Sequence, residues 1–97
     1  MLIRQGDLVL APTETAPLKG RKKARPVTLA IGEESGHSHV LDGILRGDGV
    51  IEVLDTSTLR VEGQPWRHEA LTVEPGVYRF FVQRQLSESE EVIRVAD

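Results

Sequence analysis

The chain holds three histidines, and their placement is its clearest chemical signal. His37 and His39 flank Ser38, and His68 comes later, immediately before Glu69. On a β-strand, residues i and i+2 point to the same face. A strand through His37 to Leu41 therefore turns two imidazoles to one side, where both can reach one cation. The run Trp66 to Val73 also reads as a strand, and packing it near the first adds His68 as a third donor. Three converging imidazoles suit Zn²⁺, Fe²⁺, Mn²⁺, Ni²⁺ or Cu²⁺. Carboxylates lie close in sequence at Glu33, Glu34, Asp42 and Glu69. One of them can be a fourth ligand or accept an imidazole N–H from outside the ligand set. An open site with three protein ligands would activate water or bind an oxygen-containing substrate. A site closed by Glu33 or Glu69 would be structural, adding metal binding to folding stability. The competing reading is a pair of solvated histidines at a turn-to-strand junction, with His68 half exposed beside Trp66. A divalent metal is thus the expected cofactor, and no organic cofactor is expected. The pattern marks a site without naming a reaction, so no residue is assigned a catalytic role.

A second feature is basic. The segment 19–26, Lys-Gly-Arg-Lys-Lys-Ala-Arg-Pro, carries five of the twelve Lys and Arg residues in a chain of net charge −3. Arg21, Lys22, Lys23 and Arg25 would let a loop dock on an acidic protein or on phosphate. Its alternative role is a solvated loop that keeps a neighbouring edge strand from aggregating. No aromatic residue interrupts the run, so the stacking platform of single-strand binders is missing there, and a nucleic-acid partner is not expected.

Other chemistries are excluded. There is no cysteine, which removes thiolate nucleophiles, disulfides, Cys-type zinc sites and iron–sulfur clusters. Ser35 and Ser38 lie near histidines in sequence but lack a nucleophile-elbow pattern. Gly32 to Gly36 is too short for a phosphate loop, and Glu33 and Glu34 within it repel phosphate. No apolar run is long enough for a membrane-spanning helix. The opening residues lack the basic and apolar regions of a signal peptide, so a cytoplasmic protein is expected. A protein partner and an oligomer both stay open.

The elements that must position the histidines are short strands. The 97 residues are enough for one domain, 1–97. No window shows a capped 3.6-residue apolar period. Instead, alternating apolar runs are cut by turn residues, the pattern of an all-β barrel or jelly-roll-like sandwich of about eight strands. Strands are expected at Asp7–Ala11, Pro26–Ile31, His37–Leu41, Ile44–Arg46, Val50–Leu54, Leu59–Glu62, Trp66–Val73, Val77–Gln85 and Val92–Val95. Asp42-Gly43 and Asp48-Gly49 read as hairpin turns. Residues 12–26 read as a long basic loop, and Ser87 to Glu91 as an exposed acidic turn. Alternation turns Ile51, Val53, Leu59 and Val61 to the core. Trp66, Tyr78, Phe80 and Phe81 are expected to pack there too.

The segment from Gly32 to Val40, with His68-Glu69, Pro75-Gly76-Val77-Tyr78 and Gln83-Arg84, resembles a family of small uncharacterised bacterial and phage proteins. That family carries Gly-Glu-x-Ser/Thr-Gly-His-x-His, then His-Glu, Pro-Gly-x-Tyr and Gln-Arg. The likeness runs from residue 26 to the C-terminus and implies no activity. Relatives have a further histidine soon after the His-Glu pair, where this chain has Ala70-Leu71. More loosely, the order Gly32, His37, His39, His68 is similar to the metal-binding motif of cupins. The glutamate that cupins place after His-x-His is absent; Asp42 comes nearest. This likeness is one of architecture and does not license a function.

Overall fold

Among the described residues, turn residues and apolar alternation give eight strands. They are β1 (Ile3–Gln5), β2 (Leu8–Pro12), β3 (Arg25–Ile31), β4 (Ser38–Leu45), β5 (Val50–Val53), β6 (Ser57–Glu62), β7 (Leu71–Val73) and β8 (Gly76–Val82). They belong to a computed structural model that describes residues 2–14, 23–31, 37–47, 49–64, 66 and 68–83. Every pairing is antiparallel. The strand order is β1-β2-β8-β5-β4-β6-β7, with β3 added on β4. The sheet curls into a nearly closed barrel around one core, to which Leu8, Leu10, Leu29, Leu41, Ile51 and Leu59 contribute. The all-β class expected from the turn spacing is found, in its barrel-like form. Among the described residues there is no helix, and hence none long and apolar enough to cross a membrane.

β4 is the strand on which the sheet turns. Ser38 to Val40 pair with β6, whereas Ile44 and Leu45 pair with β5. Gly43 lies between these two pairings. A Cβ there would stand 2.7 Å from the Glu52 carbonyl oxygen and 3.0 Å from Ile51 side-chain atoms. Glycine is needed here for the close approach of β5. This corrects the Asp42-Gly43 turn: the strand runs straight through it, and one strand replaces the two expected. The reversal comes at the second turn signal. Gly47 and Gly49 adopt φ of 80° and 73°, and the Val50 amide donates to the Gly47 carbonyl at 3.1 Å.

Three further expectations change. β1 was not anticipated. The Trp66–Val73 strand shrinks to Leu71–Val73, and the residues described between Gly63 and Ala70 are irregular. That stretch mixes polar residues on both would-be faces and carries Gly63 and Pro65, which weaken a ladder. Trp66 is accordingly 77% exposed and not part of the core, while Tyr78 is buried and Phe81 reaches solvent. β8 lies between β2 and β5, as its apolar run implied. Ile51, Val53, Leu59 and Val61 are all buried, as alternation indicated. The expected Ser87–Glu91 turn and Val92–Val95 strand lie outside the described residues, as does most of the 12–26 loop. The ends of that loop are strand, since Pro12 closes β2 and Arg25 and Pro26 open β3.

The packing at Gly43 carries a test. Gly43→Val should lower unfolding stability by about 1–3 kcal/mol through overpacking, read from denaturant midpoints. A parent-like midpoint would contradict the close β4–β5 approach.

Candidate metal centre

The inward row of β4 and the residue before it reads His37, His39, Leu41, Gly43, and all four are buried. The row is apolar in the barrel's interior and polar at one mouth. His39 pairs in register with Ala30 on β3 and Val61 on β6, so strands flank it on both sides. His68 arrives from the irregular stretch between β6 and β7, not from a strand. Its ring lies over the turn that joins β1 to β2. A Cβ on Gly6 would stand 2.6 Å from His68 Nε2 and 2.8 Å from Cε1. Gly6 also adopts φ of 61°, the left-handed value that a two-residue hairpin needs at its first position. One glycine thus both turns the hairpin and seats the third imidazole.

The three rings form a tight triangle. Centroids are 5.4 Å apart for His37–His39, 5.6 Å for His37–His68 and 5.4 Å for His39–His68. One nitrogen from each ring can be chosen so that all three lie within 4.8 Å of one another. Donors at Zn–N distances of about 2.0–2.1 Å around a tetrahedral ion stand roughly 3.4 Å apart. The widest pair of donors, at up to 4.8 Å, therefore needs to close by about 1.4 Å.

Gln5, at the end of β1, is buried and connects this triangle to the barrel. Its Nε2 donates to the Leu59 carbonyl at 2.9 Å and to the Glu69 carbonyl at 2.8 Å. Its Oε1 lies 2.8 Å from His39 Nδ1. His37 Nδ1 is buried and finds no hydrogen-bond partner among the described residues. Burying such a nitrogen unpaired costs about 1–3 kcal/mol, and in the tautomer that leaves it bare a metal ion or a proton donor would satisfy it. Burial pushes the His39 pKa below its ordinary value of 6.5. His68 and His37 push it further the same way, and Asp7 opposes them. The His39 ring is thereby held neutral near pH 7, the form that ligates metals.

Of the carboxylates considered with the histidines, the Glu69 side chain is exposed. It is not among the clustered donor atoms; its backbone carbonyl, not its carboxylate, serves the site. Asp42 lies 3.4 Å from Arg60. Glu33 and Glu34 lie outside the described residues, as do Arg21 and Lys22. Lys23 and Arg25 are exposed at the entrance to β3. Gln5 and Gly6 were not found from the sequence. The signal that existed was Gly6-Asp7, a hairpin dipeptide between Ile3-Arg4-Gln5 and Leu8-Val9-Leu10.

Two measurements check this geometry. The depressed His39 pKa means that below pH 6.5 the unfolded chain takes up a proton that the folded chain refuses. The stability it supports is present in full above 6.5 and is lost as pH falls through the folded value. Metal-free protein should have a lower denaturation midpoint at pH 5.0 than at 7.5, with His39→Gln reducing the difference. An equal fall in parent and variant would contradict it. Gly6→Ala should lose about 1–2 kcal/mol from its left-handed backbone and shift the His68 ring resonances. Unmoved resonances would argue against the Gly6–His68 contact.

No curated protein and no solved structure matches the chain. A family model does match, over residues 4–83, a span that takes in Gln5, Gly6 and all three histidines. The chain belongs to the family described as a domain of unknown function (DUF8820).

Proposed function

We propose that this domain binds one divalent transition-metal ion through His37, His39 and His68, and that the ion fastens the mouth of the barrel. The observation that carries the reading is the convergence of donor nitrogens within 4.8 Å from β4 and from a loop that has no regular structure to hold it there. Two considerations support it. Buried imidazoles are costly beside an apolar core unless their nitrogens are paired. Here one nitrogen of His39 is paired through Gln5, and His37 Nδ1 is not paired among the described residues. The donor set is also all nitrogen. Imidazole suits Zn²⁺, Cu²⁺, Fe²⁺ and Ni²⁺, whereas Mg²⁺ and Ca²⁺ prefer oxygen; Mn²⁺, included in the expectation from the histidines, also prefers oxygen and is the least favoured of that group here. With three protein ligands, a tetrahedral ion keeps one position for water or an outside oxygen ligand.

Elemental analysis of protein purified without a histidine tag tests the reading, run beside the His37→Ala/His39→Ala double variant. The expected result is close to one ion per chain in the parent and none in the variant. Zinc at 1,000 times its dissociation constant should stabilise the parent by about 4.1 kcal/mol, and a chelator should reverse this. A parent that stays metal-free after exposure to Zn²⁺, Ni²⁺ and Fe²⁺ would sink the reading. So would equal uptake by the double variant.

A further inference from the structure

We propose that Gln5 is the positioning residue of the histidine site, holding His39 as the Nδ1–H tautomer so that Nε2 is the only atom His39 can offer as a donor. For a bound ion, this rests on the metal-binding reading above. The tautomer itself does not.

The argument starts from the backbone. The carbonyl oxygens of Leu59 and Glu69 can only accept hydrogen bonds. Both lie within 2.9 Å of one end of the Gln5 amide, so that end must be the NH₂ group. A flipped amide would set its oxygen against two carbonyl oxygens and lose both bonds. The orientation of Gln5 is therefore dictated by two main-chain groups. Its Oε1 then faces His39 Nδ1 at 2.8 Å. That oxygen also only accepts, so the contact is a hydrogen bond only when Nδ1 carries the proton. A neutral imidazole has one N–H, which leaves the lone pair on Nε2. An outer hydrogen bond of this kind fixes which ring nitrogen meets a metal.

The same amide acts on a second ligand. By holding the Glu69 carbonyl, Gln5 anchors the residue next to His68. Gly6, the next residue in the chain, provides the surface on which the His68 ring lies. The β1–β2 hairpin, absent from any metal-ligand pattern, thus sets the donor atom of one histidine and the seat of another.

Long-range ¹H–¹⁵N correlation spectra of ¹⁵N-labelled, metal-free protein at pH 7.5 read the tautomer directly. The parent should show His39 protonated at Nδ1 and bare at Nε2. Gln5→Glu keeps an acceptor opposite Nδ1 and should keep the proton on Nδ1, although its second oxygen meets two carbonyl oxygens and both of those bonds are lost. Gln5→Leu removes the acceptor. It should release His39 toward the Nε2–H form that free imidazole side chains favour and weaken zinc binding 10- to 100-fold. If the leucine variant does not fold, the spectrum of the parent decides. A parent with His39 protonated at Nε2, or averaging between tautomers, overturns the proposal. So does a folded Gln5→Leu variant that keeps the parent tautomer. A parent with the expected tautomer but no affinity for zinc supports the role of Gln5 and removes only the metal reading.

Discussion

The side chain of Gln5 is the joint on which the mouth of the barrel depends. The hydrogen-bonded strand order begins at β1 and ends at β7, so these strands have no ladder between them. Gln5 spans the gap from β1 with two N–H bonds, one to the Leu59 carbonyl on β6 and one to the Glu69 carbonyl just ahead of β7. Its oxygen meets His39 on β4. Each such bond contributes about 0.5–1.5 kcal/mol net, but losing one partner leaves a desolvated group that costs about 1–3 kcal/mol. Removing this amide would strand three partners together. The apolar core forms the barrel's interior, and Gln5 bridges the seam between its first and last strands.

That closure explains why histidines are found there. An inward-facing row that passes from Leu41 to His39 to His37 leaves the core for the mouth, where polar groups must find partners. The three imidazoles stand 5.4–5.6 Å from one another. Burial lowers the His39 pKa, and the neighbouring His68 and His37 rings lower it further. The cluster thus gathers nitrogen atoms from β4 and the residue before it on one side, and on the other from a loop tied down by the Gln5–Glu69 hydrogen bond. A cation placed among them would join the start of β4 to the loop that carries His68. In such a site structural and chemical roles would coincide, because three ligands that fastened the mouth would leave one coordination position of a tetrahedral ion open.

Part of this was legible in the sequence, for physical reasons that differ by residue. His37-Ser38-His39 could be read because strand periodicity is local: two residues of spacing give one face. Ile51, Val53, Leu59 and Val61 were legible for the same reason. His68 lies beside the other two rings as expected but not on a strand, since alternation in Trp66 to Val73 is weak. Gly43 was misread as a turn, because a glycine required by a neighbouring strand looks the same in sequence as one required by positive φ. Trp66 was assigned to the core on residue type alone. Gln5 was invisible, for its three partners lie 34, 54 and 64 residues away. A buried amide has neither periodicity nor a characteristic neighbour.

The central claim is that His37, His39 and His68 hold one ion together. Anomalous diffraction at the zinc edge, from crystals of the zinc-loaded protein, tests it most directly. The expected result is a single strong peak about 2.0–2.1 Å from one ring nitrogen of each histidine. A peak bound elsewhere on the chain, or none within the triangle of rings in fully loaded crystals, would contradict it.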